Sequence, residues 1–106
     1  MKPFTLTLLL AFAAGSATAY AAQVSISQKG KLFSQTEVTI KKGDVISFVN
    51  DDAITHNIMS TAPANTFNLG AQAPGASIPF TFNGVGETVV TCAIHPAMKL
   101  KVTVAN

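Results

Sequence analysis

Val24-Ser25-Ile26-Ser27 alternates apolar and polar side chains, the period of two that a half-buried strand requires. Glu37-Val38-Thr39-Ile40 repeats the alternation and runs into Lys41-Lys42-Gly43-Asp44, a turn built on glycine. Val45-Ile46-Ser47-Phe48-Val49 reads as a central, mostly buried strand, stopped by three consecutive turn-formers, Asn50-Asp51-Asp52. The last two strands are expected at Glu87-Thr88-Val89-Val90-Thr91-Cys92 and Leu100-Lys101-Val102-Thr103-Val104. Shorter pieces are expected at Leu32-Phe33-Ser34, Asn57-Ile58-Met59-Ser60, Phe67-Asn68-Leu69-Gly70 and Phe80-Thr81-Phe82. Between Ala53 and Ser77 the pattern weakens into a long connection punctuated by Pro63, Gly70, Pro74 and Gly75. Short strands with turns between them, and no stretch suited to a long helix, predict a single all-β domain, a sandwich or barrel.

The first residues follow a different pattern. Lys2 precedes an apolar run from Phe4 to Ala14, then small residues, and Ala19-Tyr20-Ala21 has the A-x-A form of an export-signal cleavage site. The run is about eleven residues, short of the roughly 20 that span a bilayer. Residues 1–21 are therefore expected to be removed, leaving 22–106 as one small domain without membrane insertion. Cleavage there takes the only tyrosine with it, and the chain has no tryptophan, so the metal-free domain should absorb weakly in the near ultraviolet.

Charge narrows the function by exclusion. Seven lysines against five carboxylates give a net charge of +2, with no basic cluster interleaved with aromatics, so a nucleic-acid surface is not supported. About 85 residues is near the lower limit for a domain that folds alone, where disulfides or a metal commonly add stability. One cysteine cannot close an internal disulfide, and a lone thiol is chemically exposed in an oxidising compartment.

That cysteine opens Cys92-Ala93-Ile94-His95-Pro96-Ala97-Met98, which spaces a thiolate, an imidazole and a thioether at intervals of three. On a helix such steps fan the side chains over roughly 120°, and Pro96 would cost about 3 kcal/mol. In a tight loop between two strands, all three can turn toward one point. Taken singly, a strand-end cysteine is usually a small buried hydrophobe and a methionine is usually core. Together, with the second histidine in Thr55-His56-Asn57 at another strand end, they predict a metal site: His56, Cys92, His95 and Met98. Two imidazoles, one thiolate and a weak axial thioether suit copper. Structural zinc normally takes four strong Cys or His ligands.

Several segments resemble the cupredoxins, the type 1 blue-copper family, in its amicyanin- and plastocyanin-like group. They are Gly43-Asp44-Val45-Ile46-Ser47-Phe48-Val49-Asn50, Thr55-His56-Asn57, Pro74-Gly75 with Phe80, and Cys92 to Met98 with the closing strand to Val104. The resemblance implies a Greek-key β-sandwich with one copper at one end. It implies a trigonal set of His56 Nδ1, Cys92 Sγ and His95 Nδ1, with Met98 Sδ as the long axial ligand. It also implies that Asn57 hydrogen-bonds across to the Cys92 loop, and that the outer edge of His95 reaches the surface in an apolar patch near Pro96, Ala97 and Pro63 or Ala73. Ala93 and Ala97 are smaller than the residues many relatives carry there.

The expected function is one-electron transfer between transient protein partners by a periplasmic monomer with no catalytic residues. Lys99 and Lys101 can steer an acidic partner, although outward solvated strand positions are the plainer reading. Two alternatives use the same residues. A copper carrier would bind one oxidation state and exchange its metal. A cysteine enzyme would use Cys92 as nucleophile and a histidine as base, but the sequence offers no evident third orienting group.

Overall fold

A computed structural model describes residues 22–106; the expected signal segment lies outside the described residues. Nine strands follow one another: β1 (Gln23–Lys29), β2 (Leu32–Phe33), β3 (Glu37–Lys41), β4 (Val45–Asn50), β5 (Ile58–Ser60), β6 (Phe67–Asn68), β7 (Ser77–Thr81), β8 (Gly86–Cys92) and β9 (Lys99–Ala105). Among the described residues there is no helix. One sheet has the order β2-β1-β4-β7 and the other β3-β9-β8-β5-β6, giving the expected Greek-key β-sandwich. Each sheet is mixed, with β1 parallel to β4 and β3 parallel to β9 among otherwise antiparallel neighbours.

The two-residue period decides which side chains meet. Ile46, Phe48 and Asn50 of β4 point inward, opposite Val90 and Cys92 of β8 and Leu100, Val102 and Val104 of β9, all fully buried or nearly so. Fully burying one such Val, Leu, Ile or Phe side chain is worth about 1.5–3 kcal/mol. Cys92 thus continues the inward row of Thr88 and Val90, so the ligand loop starts from a position already pointed into the core.

Along one open side, Phe67 of β6 stacks on Phe80 of β7 at 4.0 Å between centroids, and Phe82 packs edge-on against both. These strands are the outer members of opposite sheets, so the aromatic group ties the layers together. β7 begins three residues before the expected Phe80-Thr81-Phe82. Pro79 masks it in the sequence, but β7 is an edge strand, where a missing N–H is tolerated. At the start of β8, the Gly84 N–H donates to Asn65 Oδ1 while Asn65 Nδ2 reaches Gly84 O and Thr88 Oγ1. A Cβ at Gly84 would lie 1.8 Å from Ala64 O, so only glycine fits there. Pro63 precedes Ala64 in this segment, at the end of β8 away from Cys92, and so is not a neighbour of His95.

Candidate metal centre

Three strand ends converge at the other end of the sandwich. Cys92 is the last residue of β8 and is held opposite Ile58 of β5, which brings the His56–Asn57 segment alongside it. His56 is pinned on its outer side by a two-way backbone bridge, its N–H donating to Gln72 O at 3.1 Å and the Gln72 N–H to His56 O at 2.7 Å. The 92–98 loop closes with the Met98 N–H on His95 O at 3.0 Å, so the turn itself returns His95 toward Cys92.

Cys92 Sγ lies 3.6 Å from His56 Nδ1 and 3.8 Å from His95 Nδ1, and all three donor atoms fall within 4.8 Å of one another. Metal–sulfur and metal–nitrogen bonds of about 2.3 and 2.0–2.1 Å, opened to 120°, separate sulfur from nitrogen by about 3.7 Å. The spacing therefore fits three donors that would hold one ion in common. The imidazole rings meet at 63° with centroids 5.1 Å apart, and both Nδ1 atoms face Cys92 Sγ. Met98, the fourth expected ligand, is buried at the end of the loop.

The thiol is prepared for a cation. Burial pushes it up, but the Asn57 N–H at 3.3 Å and the facing His56 imidazole outweigh that, with help from the His95 and Ile94 amides, and bring it down to about 6. At neutral pH Cys92 is a thiolate, the form that binds metal. Asn57 does reach across to the cysteine, but through its backbone: its N–H bonds Sγ and its carbonyl accepts from the Ala93 N–H at 2.8 Å. Its side chain turns instead to Asn68 Oδ1 at 2.8 Å.

One functional contact had gone unread in the sequence. Asp52 Oδ2 lies 2.7 Å from His56 Nε2, and the hydrogen bonds from that ring and from the Lys31 and Gly30 amides hold its carboxyl down at about 2. In the sequence Asp52 looked like the last residue of a turn. The available signal was a carboxylate four residues before a ligand histidine, which gains meaning only once the loop folds back.

Residues 20–105 match the copper binding proteins of the plastocyanin/azurin family. The chain belongs to this family. Among curated proteins, this cupredoxin is 36% identical over 66 residues to the methylamine utilization protein MauL of Methylorubrum extorquens, an alignment covering 61% of this chain and 58% of that protein. Among solved structures, it is similar to amicyanin from Paracoccus versutus, with 26% identity, a TM-score of 0.70, and coverage of 81% of this chain and 84% of that one. The same fold recurs in a copper-containing nitrite reductase from Thermus scotoductus, at 24% identity and a TM-score of 0.73. That match covers 92% of this chain but 25% of the reductase.

His95 is partly exposed, and beside it in the loop Ile94 is 51% exposed, with Pro96 and Ala97 also at the surface. Lys99 and Lys101 face solvent on β9. Lys101 pairs with Glu87 at 3.4 Å and Lys99 reaches Pro96 O at 3.4 Å, as expected of outward strand positions.

Proposed function

We propose that this cupredoxin carries single electrons between redox partners in the periplasm, using one copper held by His56 Nδ1, Cys92 Sγ, His95 Nδ1 and Met98. The observation that carries the reading is the pairing of a buried thiolate–imidazole set with one ligand, His95, that reaches the surface through an apolar patch. Copper bound there supplies a one-electron couple between Cu(I) and Cu(II). The chain's own part is to keep the donors where they are. Cys92 is fixed by strand pairing and the Asn57 amide, and His56 by its backbone bridge. Donors anchored in this way move little when the charge of the centre changes, so an electron can pass without reorganising the loop. The patch around His95 suits contacts below about 1,200 Å², which form and part quickly.

Two other readings meet specific obstacles. A carrier that hands its metal on would be served by open donors. Here Cys92 and His56 are wholly buried, and Met59, the spare methionine of the domain, is half-buried on β5. The order Cys92–His56–Asp52 has the connectivity of a nucleophile, a base and an orienting group, which the sequence did not reveal. Yet Cys92 and His56 both have zero exposure, so no substrate atom can reach Sγ.

Export and cleavage after Ala21 are supported by where the fold takes hold. β1 starts at Gln23, Ala22 O accepts from the Val45 N–H at 2.9 Å, and the Ala22 nitrogen lies 3.1 Å from Asp44 Oδ1. A new terminal ammonium at Ala22 would therefore meet a carboxylate. Among the described residues no helix is long and apolar enough to cross a membrane. Repeated oxidation and reduction of the copper-loaded domain beside a chelator tests the reading. Reversible cycling with the copper retained is expected, whereas loss of copper in one oxidation state would establish the carrier instead.

A further inference from the structure

His56 is as fully buried as Cys92, and its outer nitrogen does not end in solvent or on a backbone carbonyl. It ends on Asp52, whose carboxylate is itself tied down. Oδ1 accepts from the Gly30 N–H at 2.7 Å, and Oδ2 accepts from the Lys31 N–H at 3.1 Å and faces His56 Nε2 at 2.7 Å. Gly30 and Lys31 form the two-residue connection between β1 and β2, with φ of 61° and 59°. Positive φ at both positions is the hand that favoured two-residue hairpins need, but it is uncommon for a lysine. It aims two successive N–H groups at one carboxylate. From below, the Asp52 N–H donates to Asn50 Oδ1 at 2.9 Å, while Asn50 Nδ2 spans Ile54 O and Gln72 O. The carboxylate is thus fixed from both sheet-forming segments before the imidazole meets it.

An ionised carboxylate only accepts hydrogen bonds. Nε2 must then carry a ring proton, so Nδ1, on the Cys92 side, is the nitrogen that can be freed for a metal. We infer that Asp52 is a positioning residue for the metal centre: it keeps His56 protonated at Nε2, reserving Nδ1 for the metal, and, through the ring, favours Cu(II) over Cu(I). The second half rests on the copper reading above; the first does not. An asparagine cannot substitute without conflict. Three N–H groups converge on the two oxygens, and an amide would turn its own NH2 toward one of them.

The test begins with the metal-free, reduced wild-type domain labelled with 15N in histidine. Long-range 15N–1H spectra are expected to show His56 protonated at Nε2. Asp52→Asn should mix the tautomers, weaken copper binding about 10–100-fold, and shift the Cu(II)-over-Cu(I) preference about tenfold toward Cu(I), equivalent to about 59 mV. Asp51→Asn removes the same charge from an exposed neighbour and should leave the tautomer alone and move the preference less than twofold. A wild-type His56 bare at Nε2 overturns the inference without any variant, even if Asp52→Asn fails to fold. A folded Asp52→Asn with wild-type tautomer and preference overturns it too, and reduces Asp52 to a brace for the hairpin. Because the tautomer is read without metal, it stands or falls apart from electron transfer.

Discussion

The two histidines of the centre are 36 and 3 residues from Cys92, present the same nitrogen to it, and live in opposite surroundings. His56 is fully buried, bridged to Gln72 through its backbone and bonded at its outer nitrogen to a tethered carboxylate. His95 is partly exposed on a loop whose other residues, Ala93, Ile94, Pro96 and Ala97, face solvent. One is built into the sandwich; the other is held by one short loop and open to whatever docks. The difference separates two needs of an electron carrier, a geometry that does not shift and an edge that a partner can touch.

Replacing each histidine by alanine should expose the contrast most sharply. His56→Ala is expected to destabilise the metal-free domain by about 2–4 kcal/mol, in the range of large-to-alanine changes in a core. His95→Ala should change it by less than about 0.5 kcal/mol. Both should abolish the copper-thiolate colour. Urea unfolding of the two metal-free variants gives the comparison, and equal losses would break it.

A second effect lies on the buried side. The Cys92 thiol at about 6 in the fold and about 8.5 when unfolded means that the native state binds fewer protons between those values. Stability of the metal-free protein should therefore rise with pH from about 6 to about 8.5, by at most about 1.4 kcal/mol per unit. It should be lost as pH falls through 6. Cys92→Ser should flatten that slope, and a wild-type profile already flat would show that Asn57 and His56 do not hold the thiolate.

On the exposed side, Ile94→Glu puts a charge into the patch around His95 without touching a donor atom. Electron self-exchange between oxidised and reduced copies, followed by NMR line broadening, should slow about tenfold, or about 1.4 kcal/mol. The visible spectrum should not move. Unchanged exchange would place the docking edge elsewhere. Smallest is Lys99→Ala: with Nζ bonded only to an exposed carbonyl, it should shift stability by less than about 0.5 kcal/mol.

The sandwich was legible because alternation is a local signal. Val45–Asn50, Glu87–Cys92 and Leu100–Val104 each show their inward row in the sequence, and Cys92 falls in phase with Val90. The donors were legible because C-x2-H-x2-M is compact and the chain has one other histidine, His56, to supply a second imidazole. What stayed hidden depends on contacts between distant segments. Ser77-Ile78-Pro79 is a strand because β4 lies beside it, and Pro79 fits because no strand lies beyond it. Asn57 acts through its main chain, which no side-chain identity advertises. Asp52 gains its role from amides more than twenty residues upstream.

All of this turns on one claim, that His56, Cys92 and His95 hold a single copper in common. Loading the mature domain with Cu(II) and recording its visible spectrum tests it most directly. The account predicts one copper per chain, with an intense thiolate-to-copper band that disappears on reduction, in Cys92→Ser and in either histidine variant. A colourless Cu(II) complex, or a band that survives loss of His56, would contradict it.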